Sequence, residues 1–213
     1  MTNVQKNAAL LTEVADYYSQ KLAQHGVTPM GVDWNGSESQ SLRFEQLSKV
    51  IAPRDSFTLN DLGCGYAALF DFLQAREQDC SYLGVDVSPE MIAAAKERYA
   101  SASNARFITA AEPDQVADYS IASGIFNVRQ GRSDAEWFNY LQETLDSLDR
   151  FSRRGFSFNC LTSYSDEDRK RDYLYYADPC QLFDLCKRRY SRQVALLHDY
   201  GLYEFTILVR KDA

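Results

Sequence analysis

With 213 residues, 45% of them hydrophobic and 25% charged, the chain has the composition of a folded protein and the length of one domain rather than two. A net charge of −7 repels phosphate backbones and disfavours a nucleic-acid partner. No apolar run reaches the roughly 20 residues needed to span a bilayer, and the N-terminus lacks a signal peptide's regions, so a cytoplasmic protein without a membrane partner is expected. Five cysteines with no C-x-x-C pair and only two histidines, His25 and His198, give no metal-site spacing.

In chain order, Leu11, Val14, Ala15, Tyr18 and Leu22 recur at helical spacing, and His25 with Gly26 marks a stop. Pro29, Gly31 and Gly36 break the stretch that follows. Ser37 with Gln40 resembles a capping box and opens a second helix, on which Phe44, Leu47 and Ile51 share a face before Pro53 closes it. Residues 1–53 read as a helical cap and residues 54–213 as the main domain. From Ser56, short apolar runs alternate with helical periods. FTLND, SYLGVDV, ARFITA, DYSIASGIF and GFSFNCL are predicted strands; YAALFDFLQAREQ, the segment after Ser88-Pro89-Glu90, and SDAEWFNYLQETLDSLDRF are predicted helices. Ser88 is the expected N-cap, with Pro89 first in the helix. This order calls for parallel strands with right-handed crossovers, an open α/β sheet. After a tyrosine-rich insertion and a helix near CQLFDLCKRRY, the strands RQVALLHD and YEFTILVRK follow each other so closely that they can pair only as an antiparallel hairpin.

Ligands of such sheets bind at the carboxyl ends of the strands. The first strand ends in LNDLGCGYAALF, where Gly63 and Gly65 let backbone approach a ligand, and the second ends in Asp86, placed to accept ribose hydroxyls. Dinucleotide and S-adenosylmethionine sites share both features. Asp61 separates them: a carboxylate at the turn repels a pyrophosphate but suits an ammonium and a sulfonium.

LNDLGCGYAAL resembles the first motif of class I S-adenosylmethionine-dependent methyltransferases, and YLGVDVSPEMIAAAKER resembles their second strand, acidic ribose ligand and following helix. The closing hairpin is similar to their reversed seventh strand. The resemblance covers Phe57 to Arg210 and is specific at the first two motifs. It implies a Rossmann-like, mostly parallel sheet of seven strands with an antiparallel last strand, S-adenosylmethionine as cofactor, and an activity of EC 2.1.1. It also implies cofactor contacts from Asp61, Gly63, Cys64, Gly65, Asp86, Val87 and Met91. Ala110, Ala111 and Glu112 are placed beside the adenine, and Ser123, Gly124 and Ile125 along the cofactor, with Phe126 and Asn127 nearest the substrate. SGIFNV is not the N-P-P-Y type motif of enzymes that methylate base amino groups.

The N-terminal segment is similar to the cap of small-molecule members. Arg43 is a candidate partner for the methionine carboxylate, set against a surface ion pair with Glu45 or Glu38. Tyr17 and Trp34 are candidate substrate contacts. So is Tyr164, in an insertion whose Tyr173, Tyr175 and Tyr176 suggest a substrate wall. The expected reaction is methyl transfer to an oxygen or nitrogen of a small molecule. A protein or tRNA methyltransferase, a nicotinamide oxidoreductase and a non-catalytic cofactor-binding subunit are the alternatives. His25 and His198 are the obvious candidate bases, a structural role being favoured for His198. No catalytic residue is assigned, and oligomeric state has no signal.

Overall fold

The structure, a computed structural model, describes residues 3–34, 36–53 and 56–211, with side chains from residue 9 onward. The expected boundary between residues 53 and 54 abuts residues 54 and 55, which lie outside the described residues. The chain begins with helix α1 (Asn3–His25), a 3-10 turn (Pro29–Val32) and helix α2 (Ser37–Ser48). There follow β1 (Ser56–Leu62), α3 (Ala68–Gln74), β2 (Asp79–Asp86), α4 (Pro89–Arg98), β3 (Ala105–Thr109), β4 (Ala117–Ala122), α5 (Asp134–Arg150) and β5 (Ser152–Thr162). A 3-10 turn (Glu167–Arg169), β6 (Tyr176–Ala177), α6 (Pro179–Arg189), β7 (Gln193–Leu197) and β8 (Glu204–Arg210) complete it.

The strands form one sheet in the order β3-β2-β1-β4-β5-β8-β7, with the two-residue β6 lying parallel to the end of β5. β1 to β5 are parallel, whereas β8 runs antiparallel to both β5 and β7. This is the expected Rossmann-like, mostly parallel sheet with a reversed final strand, plus β6. The order reverses direction between β1 and β4, whose carboxyl ends carry Asp61 and Ala122 and open the crevice that such sheets use for ligands.

Two apolar layers cover the sheet. One gathers Trp137, Leu141, Leu145 and Leu148 of α5 against Phe156, Phe158, Phe205 and Ile207. The other gathers Phe44 and Leu47 of α2 with Leu69, Phe70, Leu73, Tyr82 and Tyr119. Ser88 caps α4 by accepting a bond from the Met91 amide at 3.1 Å, and Ser133 with Glu136 forms a capping box on α5. The expected box at Ser37 and Gln40 does not form. Gly36 is the N-cap of α2, and the Ser39 hydroxyl and the Gln40 amide both donate to the Gly36 carbonyl. The fourth strand stops at Ala122, because Gly124 in the left-handed region turns SGIF out of the ladder.

Candidate active site

Between β1 and α3 the chain turns through Gly63, Cys64 and Gly65. At Gly65 φ is +54°, and a Cβ there would stand 2.9 Å from Val32 Cγ1, so only glycine lets the N-terminal segment come this close. The amides of this turn are spent within the protein. Those of Gly63 and Cys64 donate to the Val85 carbonyl at 2.7 and 3.1 Å, and that of Gly65 donates to Asp86 Oδ2 at 2.9 Å. A pyrophosphate needs such amides free. Asp86 Oδ1 accepts from the Ser88 amide at 2.9 Å. The carboxylate is thereby held in place, with lone-pair capacity left on each oxygen for a ligand hydroxyl. Burial raises its pKa, and bonds from the Ser88 and Gly65 amides oppose the rise.

Asp61 is 2% exposed and accepts a hydrogen bond from the Tyr82 hydroxyl. Burial pushes its carboxyl up to about 7; the Tyr82 bond lowers it and the Asp86 charge raises it further. A carboxyl poised there ionises fully once a cation is placed beside it.

Both aspartates line a cavity of about 410 Å³, within the range of ~300–1,000 Å³ common for small-molecule sites. Of the expected cofactor residues, Asp61, Gly63, Cys64, Gly65, Asp86, Val87, Met91, Ala111, Glu112, Ser123, Gly124 and Ile125 all line it. Glu112 also pairs with Arg150 at 2.6 Å, across side chains that are about half exposed. A second wall has no counterpart in the sequence reading: Tyr140, Glu143, Thr144 and Ser147 of α5 face the same cavity. Their spacing makes a stripe beside the buried Trp137–Leu148 stripe, and on a sequence it reads as the solvent side of an amphipathic helix. The hydroxyls of Ser123 and Ser147 are buried without a partner. Unpaired buried polar groups call for an explanation, and a polar ligand beside them supplies one. The cavity is also lined by Leu11, Val14 and Tyr18 of α1, by Val32 and Trp34, by Gln40 and Phe44 of α2 and by Tyr66, with Val32 against Gly65 and Trp34 against Gly124.

Arg43 requires correction. It does not line the cavity, nor does it pair with Glu45 or Glu38. It forms a buried pair with Glu204 of β8, Nε lying 2.9 and 2.8 Å from the two carboxylate oxygens, with Nη2 bonded as well. Asn159 Nδ2 donates to the same carboxylate, while Asn159 Oδ1 accepts from the Gly124 amide at 2.8 Å. The Arg43 guanidinium lies 3.9 Å from the centre of the Trp34 ring, and Trp34 in turn abuts Gly124. A buried ion network therefore holds the Trp34 roof against the end of β4.

The other expected substrate contacts fare differently. Trp34 lines the cavity. Tyr17 does not: its hydroxyl donates to Asp33 at 2.7 Å. Phe126 is fully buried against Phe158, and its carbonyl accepts from the Trp137 indole at 2.8 Å. Asn127 latches backbone instead, Oδ1 accepting from the Leu161 amide and its carbonyl from the Tyr175 amide. Tyr164 is 70% exposed, lies beside the His198 ring, and does not line the cavity. Backbone bonds to residues 127, 129 and 130 draw the insertion there, so Tyr173, Tyr175 and Tyr176 also miss the cavity. His25 and His198 lie outside it too.

The family described as "Methyltransferase domain" matches residues 60–155. Over 163 residues the chain is 64% identical to "Putative methyltransferase Rv1506c" of Mycobacterium tuberculosis (strain ATCC 25618 / H37Rv), covering 76% of this chain and 98% of that one. Two solved structures illustrate the shared fold. The DhpI-SAM-HEP complex superposes with a TM-score of 0.63 at 13% identity, over 93% of this chain and 96% of that one. Human N-acetylserotonin methyltransferase in complex with SAM gives 0.58 at 17% identity, over 83% of this chain and 57% of that longer one. The chain belongs to the methyltransferases, and its fold is the class I fold of the methyltransferase solved with SAM. Among the described residues, no helix is long and apolar enough to cross a membrane.

Proposed function

We propose that the protein transfers a methyl group to an oxygen or nitrogen of a small-molecule acceptor held beneath the N-terminal helices. One observation carries this reading: Tyr18, Trp34 and Phe44 of the N-terminal segment line the same cavity as Asp61 and Asp86, which suits a small molecule. Two structural neighbours named above support it by analogy, one titled as an N-acetylserotonin methyltransferase and the other as a DhpI complex with SAM and HEP.

S-adenosylmethionine supplies a methyl group already activated on a sulfonium. In this reading Asp86 accepts the ribose hydroxyls, its carboxylate fixed by the Gly65 and Ser88 amides. Asp61 faces the ammonium of the methionine moiety. Ala111, Glu112 and Ser147 border the adenine, and the unpaired Ser147 hydroxyl gains a partner there. Ser123, Gly124 and Ile125 line the path of the methyl, while Trp34 excludes water from it. The protein's task is alignment: it fixes acceptor, methyl and departing sulfur in line.

The test is a donor-turnover assay that follows release of the demethylated cofactor across a metabolite library. Turnover with small oxygen or nitrogen acceptors is expected. Turnover confined to protein or tRNA fractions overturns the acceptor class.

A further inference from the structure

We infer that Asn159 of β5 and Glu204 of β8 are positioning residues for the cofactor site: with Arg43 they close a circuit that fixes the Trp34 ring against the end of β4. The inference rests on the methyltransferase reading above and extends it to side chains that do not line the cavity. The circuit starts at Gly124, whose amide donates to Asn159 Oδ1 at 2.8 Å. Asn159 Nδ2 donates to Glu204 Oε2 at 2.5 Å. Glu204 accepts from Arg43 Nε and Nη2, the Arg43 guanidinium lies on the Trp34 ring, and that ring leaves no space for a Cβ on Gly124. The path thus returns to the residue it left. Gly124 and Trp34 line the cavity, one from the end of β4 and the other from the N-terminal segment, while the three side chains that join them are buried.

Core packing alone does not explain these residues. Asn159 lies in a fully buried stretch of β5, between Phe158 and Cys160, where an apolar side chain would fill the space. Its amide is instead held one way round, oxygen to the Gly124 N–H and nitrogen to the carboxylate. Gly124 sits at φ +78°, beyond the end of β4 at Ala122, so Asn159 supplies the acceptor that a neighbouring strand no longer offers. Arg43 is not placed to pair every donor. Its Nη1 is buried without a partner, a cost that a position set by hydrogen bonding alone would avoid. The position it takes lays the guanidinium 3.9 Å from the centre of the Trp34 ring. Apolar replacement of a buried ion pair is often neutral or stabilising, so stability does not account for the arrangement. An oriented polar network does specify one position for each member. Groups that align a ligand gain from that, because small displacements there are costly.

The test uses the full chain labelled with 5-fluorotryptophan at its two tryptophans, Trp34 and Trp137. The Trp34 fluorine resonance is the one lost in Trp34→Phe. Glu204→Gln keeps the shape and breaks the circuit, since its amide nitrogen sets a donor against the Arg43 or the Asn159 donor. Asn159→Asp breaks it by facing two carboxylates. The double variant Asn159→Asp/Glu204→Gln restores it, because the new amide nitrogen donates to the new carboxylate. In each single variant the Trp34 resonance is expected to move while that of Trp137 stays, and calorimetry is expected to show S-adenosylhomocysteine binding at least about threefold weaker. Both readouts are expected to return to the parental values in the double variant. If neither single variant folds by circular dichroism, Asn159→Ser, which shortens the link without adding charge, is read for the same two changes. An unmoved Trp34 resonance in a folded single variant, an equal shift at Trp137, unchanged affinity, or a double variant no closer to the parent than the singles overturns the inference and leaves the methyltransferase reading standing. Absence of S-adenosylhomocysteine binding by the parent overturns that reading itself, and the fluorine measurement, which needs no ligand, still tests the circuit.

Discussion

Replacing Arg43 by Met keeps the bulk of the side chain and removes its charge. Glu204 is 2% exposed at the start of β8, so after the substitution its carboxylate retains only Asn159 as a donor among the bonds described above. Two opposite charges about 4 Å apart interact by about 4 kcal/mol at an effective dielectric of 20, and stranding one member of a buried pair costs about 3–5 kcal/mol. That is a large share of a typical stability of about 5–15 kcal/mol. For a chain of this length it corresponds to a fall in Tm of roughly 6–20 °C. Urea unfolding followed by circular dichroism measures it. The double variant Arg43→Met/Glu204→Leu, with no charge left to strand, is expected to recover most of the loss. A single variant within about 1 kcal/mol of the parent, or a double variant worse than the single, would refute the claim that this pair is the buried anchor of the cap.

Three further outcomes follow from the same geometry. Gly124→Ala puts a Cβ 2.4 Å from Trp34 Cζ2 on a backbone at φ +78°; a stability loss of about 1–3 kcal/mol and weaker S-adenosylhomocysteine binding are expected in denaturation and calorimetry, and unchanged values would show that Trp34 does not depend on this contact. Asp61 titrates at about 7 in the folded chain, above its unfolded value, so the folded state holds the extra proton between roughly pH 4 and 7 and stability falls as pH rises through that window. An ammonium placed beside Asp61 by the amino-acid end of the ligand expels that proton, so affinity for S-adenosylhomocysteine is expected to rise from pH 5.5 to about 7 and then level off, with the dependence lost in Asp61→Asn; a flat wild-type profile would contradict it. Tyr164→Ala, on an exposed side chain away from the cavity, is expected to leave both S-adenosylhomocysteine affinity and thermal stability unchanged, and a several-fold loss of affinity would return Tyr164 to the site.

The parallel sheet and its reversed end were legible because strand and helix periods alternate cleanly and because the last two strands are joined too tightly to cross over. Strand β6 was not, since two residues carry no periodicity. The capping box predicted at Ser37 lost to Gly36, one residue earlier; sequence spacing alone does not say which of two neighbours leaves the helix. At the site, the glycine turn and Asp86 were visible because their chemistry is local. The Arg43 partner was hidden by its 161-residue separation, yet a signal existed: Glu204 opens the apolar run of β8, and a carboxylate buried with such a strand needs a buried cation. The wall from α5 was missed because polar residues beside an apolar stripe look the same whether they face water or a ligand. The tyrosines of the insertion misled because density alone does not bury them: Tyr164 and Tyr173 are exposed, and Tyr175 packs into the core instead of a substrate wall.

The central claim is that the cavity at the β1 turn is the cofactor site and that Asp86 holds the ribose. Calorimetric titration of the wild type and of Asp86→Ala with S-adenosylhomocysteine tests it directly. The wild type is expected to bind one equivalent, and the variant to bind at least about tenfold more weakly while keeping its fold by circular dichroism. Equal affinity in the two proteins would contradict the account.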